Sequence, residues 1–217
     1  MKSGRPAARA GASPALKPRL GGTSGTAKAG QRLNEILDAS ADVFAAKGYH
    51  SASTQDIADI LNIRQASLYY YLPSKEAALE AVCARGAEGF YEEALRIAAQ
   101  TGTAQDKIRA LVKAHLTPLL DRRNYVTVFL HERRHLPRDS RMRISQWMRA
   151  YEKVVEEVIR TGMKAGEFRR DIKPRLRSLG VLGMLRTVSD WYGKEPNASL
   201  DDTIAEFSDL LLSGMKV

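Results

Sequence analysis

The chain has 217 residues, 44% of them hydrophobic and 27% charged, with a net charge of +9. That apolar share supports a packed core and excludes a wholly disordered chain; one cysteine excludes a disulfide framework and a multi-cysteine zinc module. No apolar run approaches the ~18 residues of a membrane span, and no apolar stretch of a secretory signal follows the basic N-terminus, so a reducing, cytoplasmic setting is expected, with Cys83 as a small core residue.

The charge is concentrated at the start. Residues 1–30 carry Lys2, Arg5, Arg9, Lys17, Arg19 and Lys28 and no acidic residue, which is +6 of the +9. Their Ala/Gly/Ser/Pro/Thr-rich composition buries too little to offset ordering entropy, which predicts a disordered basic tail drawn to polyanions, or else a plain solubilising leader.

From residue 31 the apolar period is helical. A first helix is expected over 31–47, with Leu33, Ile36, Leu37, Val43 and Phe44 on one stripe and Gly48 at the left-handed position past its end. Ser53 starts a second helix in capping-box register with Asp56. It turns Ile57, Ala58, Ile60 and Leu61 inward and stops at Asn62, which tolerates a left-handed turn. A third short helix covers 65–71, and Pro73 ends it. Three short helices with a tight turn before the third describe a helix-turn-helix over 31–78.

In that motif the last helix enters the major groove with its N-terminal residues toward base edges. Arg64 and Gln65 carry donors suited to guanine and adenine, and Ala66 permits close approach. The hydroxyls of Ser67, Tyr69 and Tyr70 suit phosphate oxygens, and Lys75 adds a cation beside a helix start. Ser53 and Gln55, at the start of the second helix, complete the DNA-facing set. Leu68 faces the core, and Tyr71 is the tyrosine assigned to packing. Residues 31–78 carry four basic and six acidic side chains, net −2. Asp38, Asp42, Asp56 and Asp59 must therefore point away from a duplex, with the tail supplying attraction.

The series Gly48-Tyr49, Ile57-Ala58, Ser67-Leu68-Tyr69 and Leu72-Pro73-Ser74-Lys75-Glu76 resembles the N-terminal signature of TetR-family transcriptional regulators. The family commonly has Gly at Asn62, Ser-Lys-Gly at Arg64-Gln65-Ala66 and Phe at Leu72; the first two departures bear on which operator is read.

Beyond residue 78 the chain reads as a larger helical domain, 79–217. Helices are expected over 75–99 (Leu79, Val82, Cys83, Phe90 and Leu95 on one face), 103–122 (kinked or shortened by Pro118), 124–136, 140–164 (including Met142, Trp147 and Tyr151), 174–191 and 200–215. The whole is therefore all-α. The resemblance implies nine to ten helices, a homodimer built on the last two long helices, a ligand cavity in the second domain, no enzymatic activity and no cofactor. Leu176, Leu179, Val181, Leu182, Met184, Leu185 and Val188, then Ile204, Phe207, Leu210, Leu211 and Leu212, are too apolar for a solvent face.

Trp191-Tyr192-Gly193 and the terminal Leu210-Leu211-Leu212 resemble a TetR subgroup whose members sense fatty-acyl or sterol-derived CoA thioesters. Such a ligand needs an apolar cavity and cations for its phosphates. Phe90, Phe129, Trp147, Met148, Tyr151 and Met184 are the candidates for the cavity wall. Arg122, Arg123, Arg133, Arg134 and Arg186 are the candidates for phosphate. The expectation is a dimeric repressor released from double-stranded operator DNA by a small apolar effector, an acyl-CoA among the candidates.

Two alternatives stand beside it. His131-Glu132-Arg133-Arg134-His135 matches the H-E-x-x-H zinc-protease pattern, which reads as a zinc-dependent helical hydrolase with Glu132 as base and Glu152, Glu156 or Glu157 as third ligand. The adjacent arginines disfavour a dication there, and pairing of Glu132 with arginine or histidine is the competing reading. A helical protein-interaction module is the other alternative, and it leaves Arg64-Gln65-Ala66-Ser67 without a purpose.

Overall fold

The computed structural model describes residues 27–216. Of the basic segment, 1–26 lies outside the described residues; residues 27–30 are not tail but the first turn of α1 (Ala27–Lys47). The described residues are all-helical, with a lone antiparallel bridge between Phe168 and Lys216.

The local signals act where they stand. Gly48 takes φ +74 past the end of α1, and its N–H donates to Phe44 O at 3.0 Å. Ser53 and Asp56 form a complete capping box at α2 (Thr54–Ile60). Asn62 follows at φ +49; Ile63 N–H reaches Ala58 O at 3.0 Å and Asn62 N–H reaches Asp59 O at 3.1 Å, the paired bonds of a Schellman end. After α3 (Gln65–Tyr71), Ser74 caps α4 (Lys75–Ala87), its hydroxyl accepting from Ala77 N–H at 3.1 Å.

The helix expected over 75–99 is two. α4 ends at Ala87 and α5 runs Phe90–Ala99, with Gly89 at φ +85 between them. Arg122 decides the break: its guanidinium donates to Arg85 O and Glu88 O, both at 3.2 Å, taking up carbonyls the continuing helix would have used. Pro118 likewise separates α6 (Ala104–Leu116) from the single turn α7 (Pro118–Asp121). α8 (Arg123–Glu132) passes into a 3-10 turn (Arg133–His135), and α9 (Arg138–Ala165), α10 (Pro174–Trp191) and α11 (Leu200–Ser213) complete the chain. Ile60 and Leu95, read from periodicity as inward, are exposed, as are Leu120 and Met142.

Two apolar clusters hold these helices. One joins Ile36, Phe44, Ile57, Leu68 and Leu79 of α1–α4 to Tyr125, Val128 and Phe129 of α8 and to Ile144 and Trp147 of α9. The packing therefore runs unbroken across residue 78, with α4 and α8 as the shared wall. Gly86 permits it: a Cβ there would stand 2.3 Å from Tyr125 O. The other cluster joins α5, α6 and α9–α11 through Ile108, Leu116, Tyr151, Ile159, Phe168, Leu185 and Leu212. Cys83 is buried, and burial pushes its thiol up to about 12, which suits a core residue.

Candidate DNA-facing surface and effector cavity

α3 packs through Leu68, which is buried, and leaves Ala66, Ser67, Tyr69 and Tyr70 exposed, together with Arg64 before it. Tyr71 is half-buried against the core. A short polar chain ties α3 to α2: Gln65 Nε2 donates to Thr54 Oγ1 at 2.6 Å, and Thr54 Oγ1 meets Tyr69 Oη at 3.1 Å. Ser53 Oγ is occupied in the capping box, and Gln55 Nε2 donates to Asp59 at 2.6 Å. Lys75 Nζ donates to His50 O at 3.2 Å and lies 4.5 Å from the Tyr49 ring centroid.

The acidic residues sort by partner. Asp38 accepts from Tyr125 Oη and Asp42 from Asn124 Nδ2, both at 2.7 Å, so both face α8 rather than the α3 surface. Asp56 is held by Lys47 at 2.8 Å and by the cap, and these contacts lower its pKa to about 2. Asp59 stays on α2 beside Gln55.

A cavity of about 230 Å³ lies between α5, α6, α8, α9 and α10. Phe90, Phe129, Trp147, Met148, Tyr151 and Arg186 line it, together with Val126, Leu130, Glu152, Leu179, Leu182, Gly183 and His115. The exposed members, Leu179, Gly183 and Arg186, share one face of α10 and form its mouth. Aromatic contacts order the interior: Trp147 and Tyr151 stack at 6.1 Å between centroids, and Phe90 meets both edge-on. His115, four residues past the buried Leu111 on α6, supplies a polar spot: its Nδ1 lies 2.9 Å from Tyr151 Oη. Burial lowers the His115 pKa to about 4 and raises that of Tyr151, so both are neutral near pH 7. Glu152 is neutralised by Arg175 at 2.6 Å. On α8 Val126 lies three before Phe129 and Leu130 four past Val126, and on α10 Gly183 and Leu182 lie three and four before Arg186 and Leu179 four before Gly183; these steps are readable only once the two helices are known to share a cavity.

The other candidates sort away from it. Met184 packs into the second cluster without lining the cavity, because it lies off the 179–183–186 face of α10. Arg122 is spent on the end of α4. Arg123 lies against Gly193, and Arg134 lies against His135 on an exposed turn; both belong to a separate polar cleft with Asp42, Lys47, Asp190 and Lys194. Arg133 is half-buried under Phe129 and donates to Phe129 O at 3.3 Å and Leu130 O at 3.2 Å. Arg186 reaches the same Leu130 O at 3.4 Å. Neither arginine has a carboxylate partner among the described residues.

The H-E-x-x-H pattern does not form a site. α8 ends at Glu132, so the one-turn register that would align both histidines is lost in the 3-10 turn. His131 Nε2 pairs with Asp190 at 2.9 Å, while His135 stacks on Tyr49 and meets His50 edge-on at 4.1 Å. Among the described residues no three His, Cys, Asp or Glu side chains are grouped to hold a metal ion. Glu132 instead accepts from Tyr49 N–H and lies 3.6 Å from His135 Nε2.

Residues 36–82 match the family described as bacterial regulatory proteins, tetR family, and residues 101–215 match the tetracyclin repressor-like C-terminal domain. The HTH-type transcriptional repressor KstR2 of Rhodococcus jostii is 25% identical over 199 residues, covering 91% of this chain and 96% of its own. Two solved structures share the fold. AibR in complex with isovaleryl coenzyme A and operator DNA has a TM-score of 0.73 at 24% identity, covering 85% of this chain and 98% of its own. FadR of Bacillus subtilis in complex with stearoyl-CoA has a TM-score of 0.67 at 24% identity, covering 83% of this chain and 98% of its own.

Proposed function

The chain belongs to the TetR family of DNA-binding transcription repressors, which are not enzymes, and from that premise we propose that a small apolar effector, a CoA thioester, releases it from its operator. The observation that carries this reading is the apolar cavity with Arg186 at its mouth and Arg133 beside it, two guanidiniums without carboxylate partners among the described residues. An acyl group suits the cavity, and phosphates suit the arginines. AibR and FadR, solved in complex with isovaleryl coenzyme A and stearoyl-CoA, support the same class at 24% identity.

On the DNA side, Arg64, Gln65 and Ala66 are assigned to bases, and Ser53, Gln55, Ser67, Tyr69, Tyr70 and Lys75 to phosphates or register. The exposure of the α3 face supports this assignment. A homodimer through α10 and α11 belongs to the same reading. Leu176 and Leu210 are 62% and 61% exposed on those helices, an arrangement that favours a partner surface. A two-fold pair sets its recognition helices about 34 Å apart, or a multiple of that, to meet successive major grooves.

Release is then a shift between spacings, driven by the ligand's differential affinity for them. α4 and α5 link the two ends: Lys75 starts α4, and Phe90 opens α5 at the cavity wall. The test is fluorescence anisotropy of a labelled duplex from DNA upstream of the gene, with excess nonspecific DNA and then added acyl-CoAs. Tight binding that an acyl-CoA reverses is expected. Tight binding that no thioester reverses removes the effector class and leaves the repressor.

A further inference from the structure

We infer that the effector's buried part is compact, about nine carbons rather than a long chain, and carries one uncharged hydrogen-bonding group that docks on the His115–Tyr151 pair. This deepens the reading above and rests on its placement of the ligand in the cavity.

Size comes first. A dry apolar cavity of about 150 Å³ accommodates benzene, roughly 25 Å³ per carbon. On that scale the 230 Å³ here takes about nine carbons. A saturated chain twice that length would have to spread the aromatic wall of Phe90, Trp147 and Tyr151 apart.

Chemistry comes second. Near the mouth, Arg186 and the paired Glu152 are the polar members of the lining; deeper in, besides the indole N–H of Trp147, a donor only, His115 and Tyr151 form the one hydrogen-bonded pair that offers both a donor and an acceptor. His115 Nδ1 is bound to Tyr151 Oη, and His115 Nε2 has no partner among the described residues. The imidazole tautomer decides how the pair presents itself. When Tyr151 donates to Nδ1, Nε2–H is the free donor; when Nδ1–H donates to Tyr151, the phenol O–H is the free donor. Either way the pair offers one donor and one acceptor. A hydroxyl can use both and a ketone oxygen accepts from the donor, whereas a plain alkane leaves the whole pair unmet. An anionic group is disfavoured there, because burial keeps both residues uncharged.

The test is intrinsic tryptophan fluorescence of the full-length protein, with Trp191→Phe so that Trp147 in the cavity wall reports, titrated with butyryl-, octanoyl- and palmitoyl-CoA and, separately, with nonan-2-one and nonane. Octanoyl-CoA is expected to bind tightest of the three thioesters. Nonan-2-one is expected to bind about tenfold more tightly than nonane. Tyr151→Phe and His115→Phe, each checked for native melting, should bring that ratio near one; Tyr151→Phe is the milder change and carries the test if His115→Phe misfolds. Palmitoyl-CoA binding at least as tightly as octanoyl-CoA overturns the size argument. A ketone preference that survives Tyr151→Phe overturns the docking assignment. Failure of every thioester alongside binding of nonan-2-one would discard the CoA reading and sustain this one.

Discussion

The backbone N–H of Tyr49 donates to Oε2 of Glu132 at 3.1 Å, joining the turn after α1 to the end of α8 across 83 residues of sequence. The bond sits in a knot of contacts. Tyr49 Oη donates to Glu76, His135 stacks on the Tyr49 ring, and Lys75 lies over that ring's face. Burial and the Glu76 carboxylate raise the Tyr49 pKa to about 12, keeping the phenol protonated as a donor. One end of this knot belongs to the helix-turn-helix and the other to α8, which lines the apolar cavity. Glu132→Gln should lower stability by about 1 kcal/mol in urea melts. It should also bring the ratio of operator affinities with and without octanoyl-CoA closer to one; an unchanged ratio removes Glu132 from the coupling.

Gln65 both faces outward from the start of α3 and ties Thr54. Gln65→Ala should weaken operator binding by about 1–3 kcal/mol and relax base preference at one position. Thr54→Ala separates the two roles, since it loses the tie and keeps the amide. It should weaken binding without changing preference, as read by anisotropy on a panel of single-base operator variants.

Lys75 is held at the start of α4 by His50 O and the Tyr49 ring. As a phosphate contact it carries no base information. Lys75→Ala should therefore lower affinity equally on all sequences and reduce the slope of log K against log salt by about 1. An unchanged salt slope refutes the contact.

Gly86 is where α4 crosses closest to α8. A Cβ would stand 2.3 Å from Tyr125 O and 2.8 Å from Phe129 Cβ, so either backbone or wall must move. Gly86→Ala should cost about 1–3 kcal/mol in urea melts, although Ala is the better helix former. A neutral or stabilising result would mean that the helices separate freely.

His115 makes stability depend on pH with a definite sign. Its pKa falls from 6.5 in the free side chain to about 4 in the fold, through burial. Below pH 6.5 the unfolded chain takes up a proton that the native state refuses until about pH 4. The native state is therefore favoured above that window and loses roughly 3 kcal/mol as pH falls through it. Urea midpoints at pH 7 and pH 4.5 should differ less for His115→Phe than for the unchanged protein.

Much was legible in the residues themselves. Gly48, the Ser53–Asp56 box, Asn62 and Ser74 mark helix ends through bonds that reach no more than five residues, so a linear reading finds them. The exposed side of α3 follows from the same periodicity, because Leu68 must be buried and its neighbours on a seven-residue helix cannot all be. Tertiary structure decided what depends on distant partners. Arg122 divides one expected helix into α4 and α5 from 37 residues away, and that duty keeps it out of the cavity lining. His131 and His135, adjacent by pattern, are drawn to Asp190 and to Tyr49 and His50. His115 looks like part of an apolar stripe until Tyr151, 36 residues on, comes within hydrogen-bond reach. Periodicity states which face of a helix is apolar; only packing states what that face meets, and a polar group's role lies in the partner it finds.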